Sequence, residues 1–134
     1  MNRNTVRVRL AFSFKAETHE LDAVIDLDAH IGREPDFHLL LAKARGVDPY
    51  SYLYEALASH DIEFSEASGL AARHCRNGGF DWPGFERDWR EAADMRVVRE
   101  IAARLLGASA LRERPEIEAA LLAAYRAGKA AGAA

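Results

Sequence analysis

The chain has 134 residues, 49% of them hydrophobic and 29% charged, with a formal net charge of −3 and a pI near 5.9. That mixture suits one domain with its own core and excludes a disordered chain, and the acidity gives no general attraction to nucleic acid or anionic lipid. One cysteine, Cys75, rules out an internal disulfide and fits a reducing compartment; with no apolar run near the roughly 18–20 residues of a membrane span and no signal-peptide pattern in Met1 to Lys15, a cytoplasmic protein with no membrane attachment is expected.

From Val6 to Phe14 the even positions (Val6, Val8, Leu10, Phe12, Phe14) are apolar, while Thr5, Arg7, Arg9 and Ser13 stand between them. A period of two is a half-buried strand. The alternation returns in Leu21, Ala23, Ile25 and Leu27, with Glu20, Asp22, Asp26 and Asp28 between, so the two runs read as an antiparallel hairpin. A turn centred on Ala16 and Glu17 places Phe14 opposite His19, Phe12 opposite Leu21 and Arg7 opposite Asp26. Arg7 and Asp26 then share the polar face, and Val8 and Ile25 point into the core. Basic residues on one strand and carboxylates on the other add about 0.2–1 kcal/mol per pair, less than the roughly 1.5–3 kcal/mol from each large side chain buried beneath helices.

Pro35 to Arg45 has helical spacing and ends at Gly46. Asp48 and Pro49 read as cap and first residue of a helix over 49–58, with Tyr50, Leu53, Tyr54 and Leu57 on one side. Tyr50, Tyr52 and Tyr54 also alternate, so a strand competes, and helix is preferred. Ile62 and Phe64 suggest a short third strand, and Gly69 to Cys75 a short helix that stops at Asn77-Gly78-Gly79. Asp81 caps the strongest helical pattern, Trp82 to Leu106, in which Phe85, Trp89, Ala93, Val97, Ile101 and Leu105 form an apolar seam closed by Gly107. This seam predicts burial of Trp89. Pro115 opens a last helix to about Ala127, with Ile117, Leu121 and Tyr125 on one side, and 128–134 read as a frayed tail. The expected fold is a single α+β domain over 1–134: a two- or three-stranded antiparallel sheet, built on the N-terminal hairpin, packed by four or five helices with a C-terminal helical hairpin.

The segments Ile25-Asp26-Leu27-Asp28, Tyr50-Ser51-Tyr52-Leu53-Tyr54-Glu55 and Ile62-Glu63-Phe64-Ser65 through Gly69-Leu70 resemble those of a family of small bacterial proteins of unknown function. The resemblance covers most of the chain and implies a stand-alone bacterial protein. It transfers no catalytic residue.

Few residues carry chemistry. Asp26, Asp28 and His30 at i, i+2 and i+4 would share one face of an extended chain, as ligands of a divalent metal could, with His38 or His60 nearby. The structural alternative is favoured: the aspartates answer Arg7 and Arg9, and His30 belongs to a loop. His74-Cys75 between Arg73 and Arg76 could stabilise a thiolate, but Cys75 reads as a small core residue. Asn77-Gly78-Gly79 lacks the lysine and spacing of a phosphate loop and reads as a turn. The helices Pro35–Arg45 and Pro49–Ser59 imitate a helix-turn-helix, yet the second holds Glu55 and no Lys or Arg, so nucleic acid is not an expected partner. Phe80, Trp82, Phe85 and Trp89 form the densest aromatic cluster; Trp82, ahead of the seam and beside Pro83, and Phe80 are the residues proposed to face a partner.

These readings favour a non-enzymatic protein-interaction or regulatory domain without cofactor or metal. Its partner is an unidentified protein, or a second copy docked through the C-terminal helices. The alternative is a divalent-metal-dependent enzyme using Asp26, Asp28 and His30.

Overall fold

A computed structural model of the chain describes residues 3–107 and 110–133. It is an α+β fold that divides into two compact units, Met1–Glu86 and Arg87–Ala134. The first holds strands β1 (Thr5–Phe14) and β2 (Glu17–Asp26), helices α1 (Phe37–Ala44) and α2 (Tyr52–Ala58), strand β3 (Glu63–Ser68) and the small hairpin β4 (Cys75–Arg76) and β5 (Gly79–Phe80). Helix α3 (Trp82–Leu106) begins in the first unit and continues into the second, where α4 (Ala110–Glu113) and α5 (Pro115–Ala133) follow. Among the described residues no helix is long and apolar enough to cross a membrane.

The sheet is antiparallel in the order β2-β1-β3, which puts β1 in the centre. Its even residues Val6, Val8, Leu10 and Phe12 are at most 5% exposed. With Ile25, Leu27, Phe37, Leu41 and Leu57 they make the core of this unit. Asp36 accepts a hydrogen bond from Leu39 N, and Ser51 accepts one from Tyr54 N, so each short helix has an N-cap side chain. Helix α2 starts three residues later than Asp48-Pro49 implies, because Asp48 accepts the Tyr50 N–H in a turn and Ser51 takes over as cap. Tyr50 lies outside the helix and is 97% exposed, so it is not part of the buried side.

The faces of the hairpin are as expected and its register is not. Arg7 opposes Val24 rather than Asp26, and Phe12 opposes His19 rather than Leu21. The turn is Lys15-Ala16, one residue earlier, with positive φ at both positions (51° and 64°), as a two-residue hairpin turn requires. Moving the turn centre by one residue shifts each partner by two, and a shift of two preserves which face a side chain occupies.

Asn77-Gly78 makes the same kind of turn between β4 and β5, with φ of 52° and 79°, residue types that adopt this conformation at little cost. This hairpin lies along the outer side of β3, where Phe64 N donates to the Gly78 carbonyl at 2.9 Å. Between Ser65 and Ser68 the β3 ladder contains a bulge, and Glu66 there has a φ of 45°.

In the second unit α3 and α5 pack antiparallel. Arg99 bonds Glu118, while Arg126 and Lys129 both reach Asp94, at 3.2 and 3.0 Å. The expected fraying of 128–134 is corrected as far as Ala133: α5 continues through these small, helix-favouring residues, and Lys129 ties the extension to Asp94.

Neither Lys15 nor Ala16 suits the left-handed region that it occupies. Replacing the pair by Asn-Gly should stabilise the first unit by roughly 1 kcal/mol, since the folded turn is relieved of strain. Urea unfolding of the double variant beside the parent measures this, and an unchanged midpoint would count against the turn described.

Candidate functional site

An α-helix turns about 100° per residue, so each step of four residues advances its face by about 40°. Five such steps separate Phe85 from Leu105, a drift of about 200°, and the predicted seam therefore winds to the opposite side of α3. Phe85 is buried and Trp89 half-buried, whereas Ile101 and Leu105 are 45% and 75% exposed. The buried line in the second unit is Asp94, Val98 and Ala102. Beside it, Val98, Ile101, Ala102, Leu105 and Leu106 of α3 and Leu121 and Tyr125 of α5 enclose an open groove of about 200 Å³. Leu106 and Leu121 are also exposed, so the groove borders a continuous apolar strip rather than scattered single residues.

Asp94 holds this helix pair in place from within. The hydrogen bond from Lys129 lowers its pKa; burial opposes the shift and the bond from Arg126 reinforces it.

The proposed metal trio does not converge. The chain leaves the extended conformation at Leu27 and enters a 3-10 helix over Leu27–His30, so the one-face geometry of Asp26, Asp28 and His30 is lost. Asp26 caps this turn by accepting from Asp28 N. Asp28 accepts from the Asn4 side chain at 2.7 Å, and the Asn4 side-chain oxygen accepts from Leu70 N at 2.8 Å. Gly69, at a φ of 66°, lies against that carboxamide, where a Cβ would collide with the Asn4 oxygen. The aspartates are thus not the partners of Arg7 and Arg9. Asp22 and Glu66 pair with Arg7, and Glu20 with Arg9. His38 Nε2 donates to the His60 carbonyl, and the His60 ring lies 5.5 Å from that of Phe12. Among the described residues no three His, Cys, Asp or Glu side chains gather as a metal site would need.

Cys75 is half-buried in β4, and burial raises its thiol pKa, the opposite of an activated thiolate. Arg73, His74, Arg76, Phe80 and Asp81 surround an open depression of about 400 Å³. Asp81 there accepts from Gly84 N and caps α3, and His74 Nδ1 lies 3.8 Å from its carboxylate.

Trp82 is corrected as an interaction anchor, because it is 3% exposed and packs 5.4 Å from Phe85. Phe80 is half-buried in the same cluster, 5.8 Å from Phe64 and 5.9 Å from Phe85. The sequence cue that Trp82 precedes the seam misleads, since the first turn of α3 is what closes the aromatic core. Conversely, Tyr50 and Tyr52, assigned to a helix, are 97% and 77% exposed.

No protein-family model matches this chain, and neither a curated protein nor a solved structure is significantly similar to it.

Two outcomes follow from the burial of Trp82 and Asp94. Trp82→Ala should lower stability by about 3–5 kcal/mol, and Trp89→Ala, from a half-buried site, by less; thermal unfolding of the two variants gives the order. Asp94→Asn should cost about 1 kcal/mol at neutral pH, because the cations it meets are partly solvated. With a folded pKa below the ordinary aspartate value of about 3.9, that contribution is present above the ordinary value and lost as pH falls through the lower, folded one. Urea midpoints of parent and Asp94→Asn should therefore converge in strong acid, and a gap that stays constant with pH would contradict this.

Proposed function

We propose that the chain is a non-enzymatic protein-interaction domain whose docking face is the apolar strip of the α3–α5 pair, and that the occupant is a second copy of the same chain. The observation that carries the reading is the exposure of Ile101, Leu105, Leu106 and Leu121 along one groove. Two packed helices are half of a four-helix bundle, and a two-fold axis buries the same strip from both sides.

The charges beside the strip support self-association. The C-terminal half of α3 carries Arg96, Arg99 and Arg104, and α5 begins with Glu116 and Glu118. Within one chain Arg99 already pairs with Glu118 and Arg114 with Glu116, so a two-fold that sets α3 of one copy beside α5 of the other adds Arg96 and Arg104 to these glutamates. Sedimentation equilibrium across micromolar concentrations should show a monomer–dimer equilibrium, and Leu105→Glu should give a folded monomer that melts where the parent melts once diluted to its monomeric form, since Leu105 is already mostly exposed within one chain. A parent protein that stays monomeric at several hundred micromolar overturns the reading.

A further inference from the structure

The two outer strands of the sheet are finished differently. The outside of β3 is occupied by the β4–β5 hairpin, through the bond from Phe64 N to the Gly78 carbonyl. Strand β2 has ten residues, pairs with β1 alone among the described residues, and contains no proline and no register shift. A two-residue turn makes Phe14 and Glu17 a hydrogen-bonded pair, and such pairs then recur at every second position. Glu17, His19, Leu21, Ala23 and Ile25 accordingly direct their backbone groups towards β1. Those of Thr18, Glu20, Asp22, Val24 and Asp26 point outwards, and no backbone bond to them occurs among the described residues. An edge of this length is a template for another strand.

The side chains define what can occupy it. On the polar face Arg7 and Arg9 meet four carboxylates, Glu20, Asp22, Glu63 and Glu66, around a depression of about 380 Å³. The edge strand itself presents Glu20, Asp22 and Asp26. Two β2 strands laid against each other would oppose like charges, which disfavours self-pairing. On the other face His19, Leu21 and Ala23 are half-buried, whereas their neighbours Val8, Leu10 and Phe12 on β1 are at most 5% exposed. A further strand with apolar residues in that phase would cover them.

We infer that the outer edge of β2 binds an extended segment of another protein in which basic and apolar residues alternate, adding it to the sheet as a fourth strand. Main-chain bonds supply the pairing, the apolar residues extend the core, and lysines or arginines answer the surplus carboxylates. This surface lies in the first unit and does not depend on the dimer proposed for the α3–α5 pair.

The probe is a fluorescein-labelled ten-residue peptide of alternating lysine and valine, with an alternating glutamate–valine peptide as control. The lysine peptide should bind, the glutamate peptide should bind at least roughly tenfold more weakly, and amide exchange at Thr18, Glu20, Asp22, Val24 and Asp26 should slow on binding. Val24→Pro removes an outward N–H without touching the β1 ladder, a substitution edge strands accept, and should abolish binding. Should that variant fail to fold, Glu20→Lys provides a second test, since it exchanges one exposed carboxylate and should weaken the lysine peptide while strengthening the glutamate peptide. Equal binding of both peptides, binding without slowed exchange at those five amides, or no binding at all overturns the inference.

Discussion

The first unit depends on β1 being the central strand. Because both of its sides are paired, its alternation is imposed on β2 and β3: Val6, Val8, Leu10 and Phe12 define the buried face and Arg7 and Arg9 the polar one. The buried set then fixes where α1 and α2 settle, through Phe37, Leu41 and Leu57, and gives the aromatic rings a floor. Phe37 lies 5.0 Å from Phe64 and 6.2 Å from Phe80, and Phe80 continues the chain of rings to Phe85 and Trp82. The start of α3 belongs to this core for that reason.

The polar face is governed by the same strand. Arg7 reaches Asp22 on one side and Glu66 on the other, at 3.3 and 2.6 Å. Glu66 meets it only because the β3 bulge re-aims a residue that a regular strand would direct elsewhere. Spreading one guanidinium between two strands leaves Arg7 Nε buried without an acceptor among the described residues. The pairs are partly solvated, so their contribution to stability is small. Their consequence is one of specificity, since the carboxylates outnumber the two arginines and give the open side of the sheet its sign.

Fold class, the strand pattern and the extent of α3 were legible because each rests on a local period that tertiary contacts reinforce. What escaped has a physical cause in each case. The register of the hairpin was off by two because Lys15 and Ala16 are not residues that advertise a left-handed turn, unlike Asn77-Gly78. The α3 seam departs from its expected face because a spacing of four resembles one face over two turns and leaves it over five. Asp26, Asp28 and His30 assumed an extended chain at the point where it turns into a 3-10 helix. The exposed strip at Ile101 and Leu105 was hidden for the same reason as the seam, and the open edge of β2 is a property of strand order, which no local pattern contains.

Asp94 illustrates why a charged residue belongs in the buried line of the second unit. An apolar line of Val98 and Ala102 alone allows α5 to slide along α3 with little change in contact, because small side chains pack similarly in neighbouring registers. Only one alignment places both Arg126 and Lys129 on the same carboxylate while Arg99 meets Glu118 nineteen residues away. The carboxylate therefore selects the alignment more than it deepens the energy, as buried polar groups do in helical assemblies where register must be unique. Once α5 is set in that register, Leu121 and Tyr125 fall beside Ile101 and Leu105, and the apolar groove exists as a consequence of the polar contact.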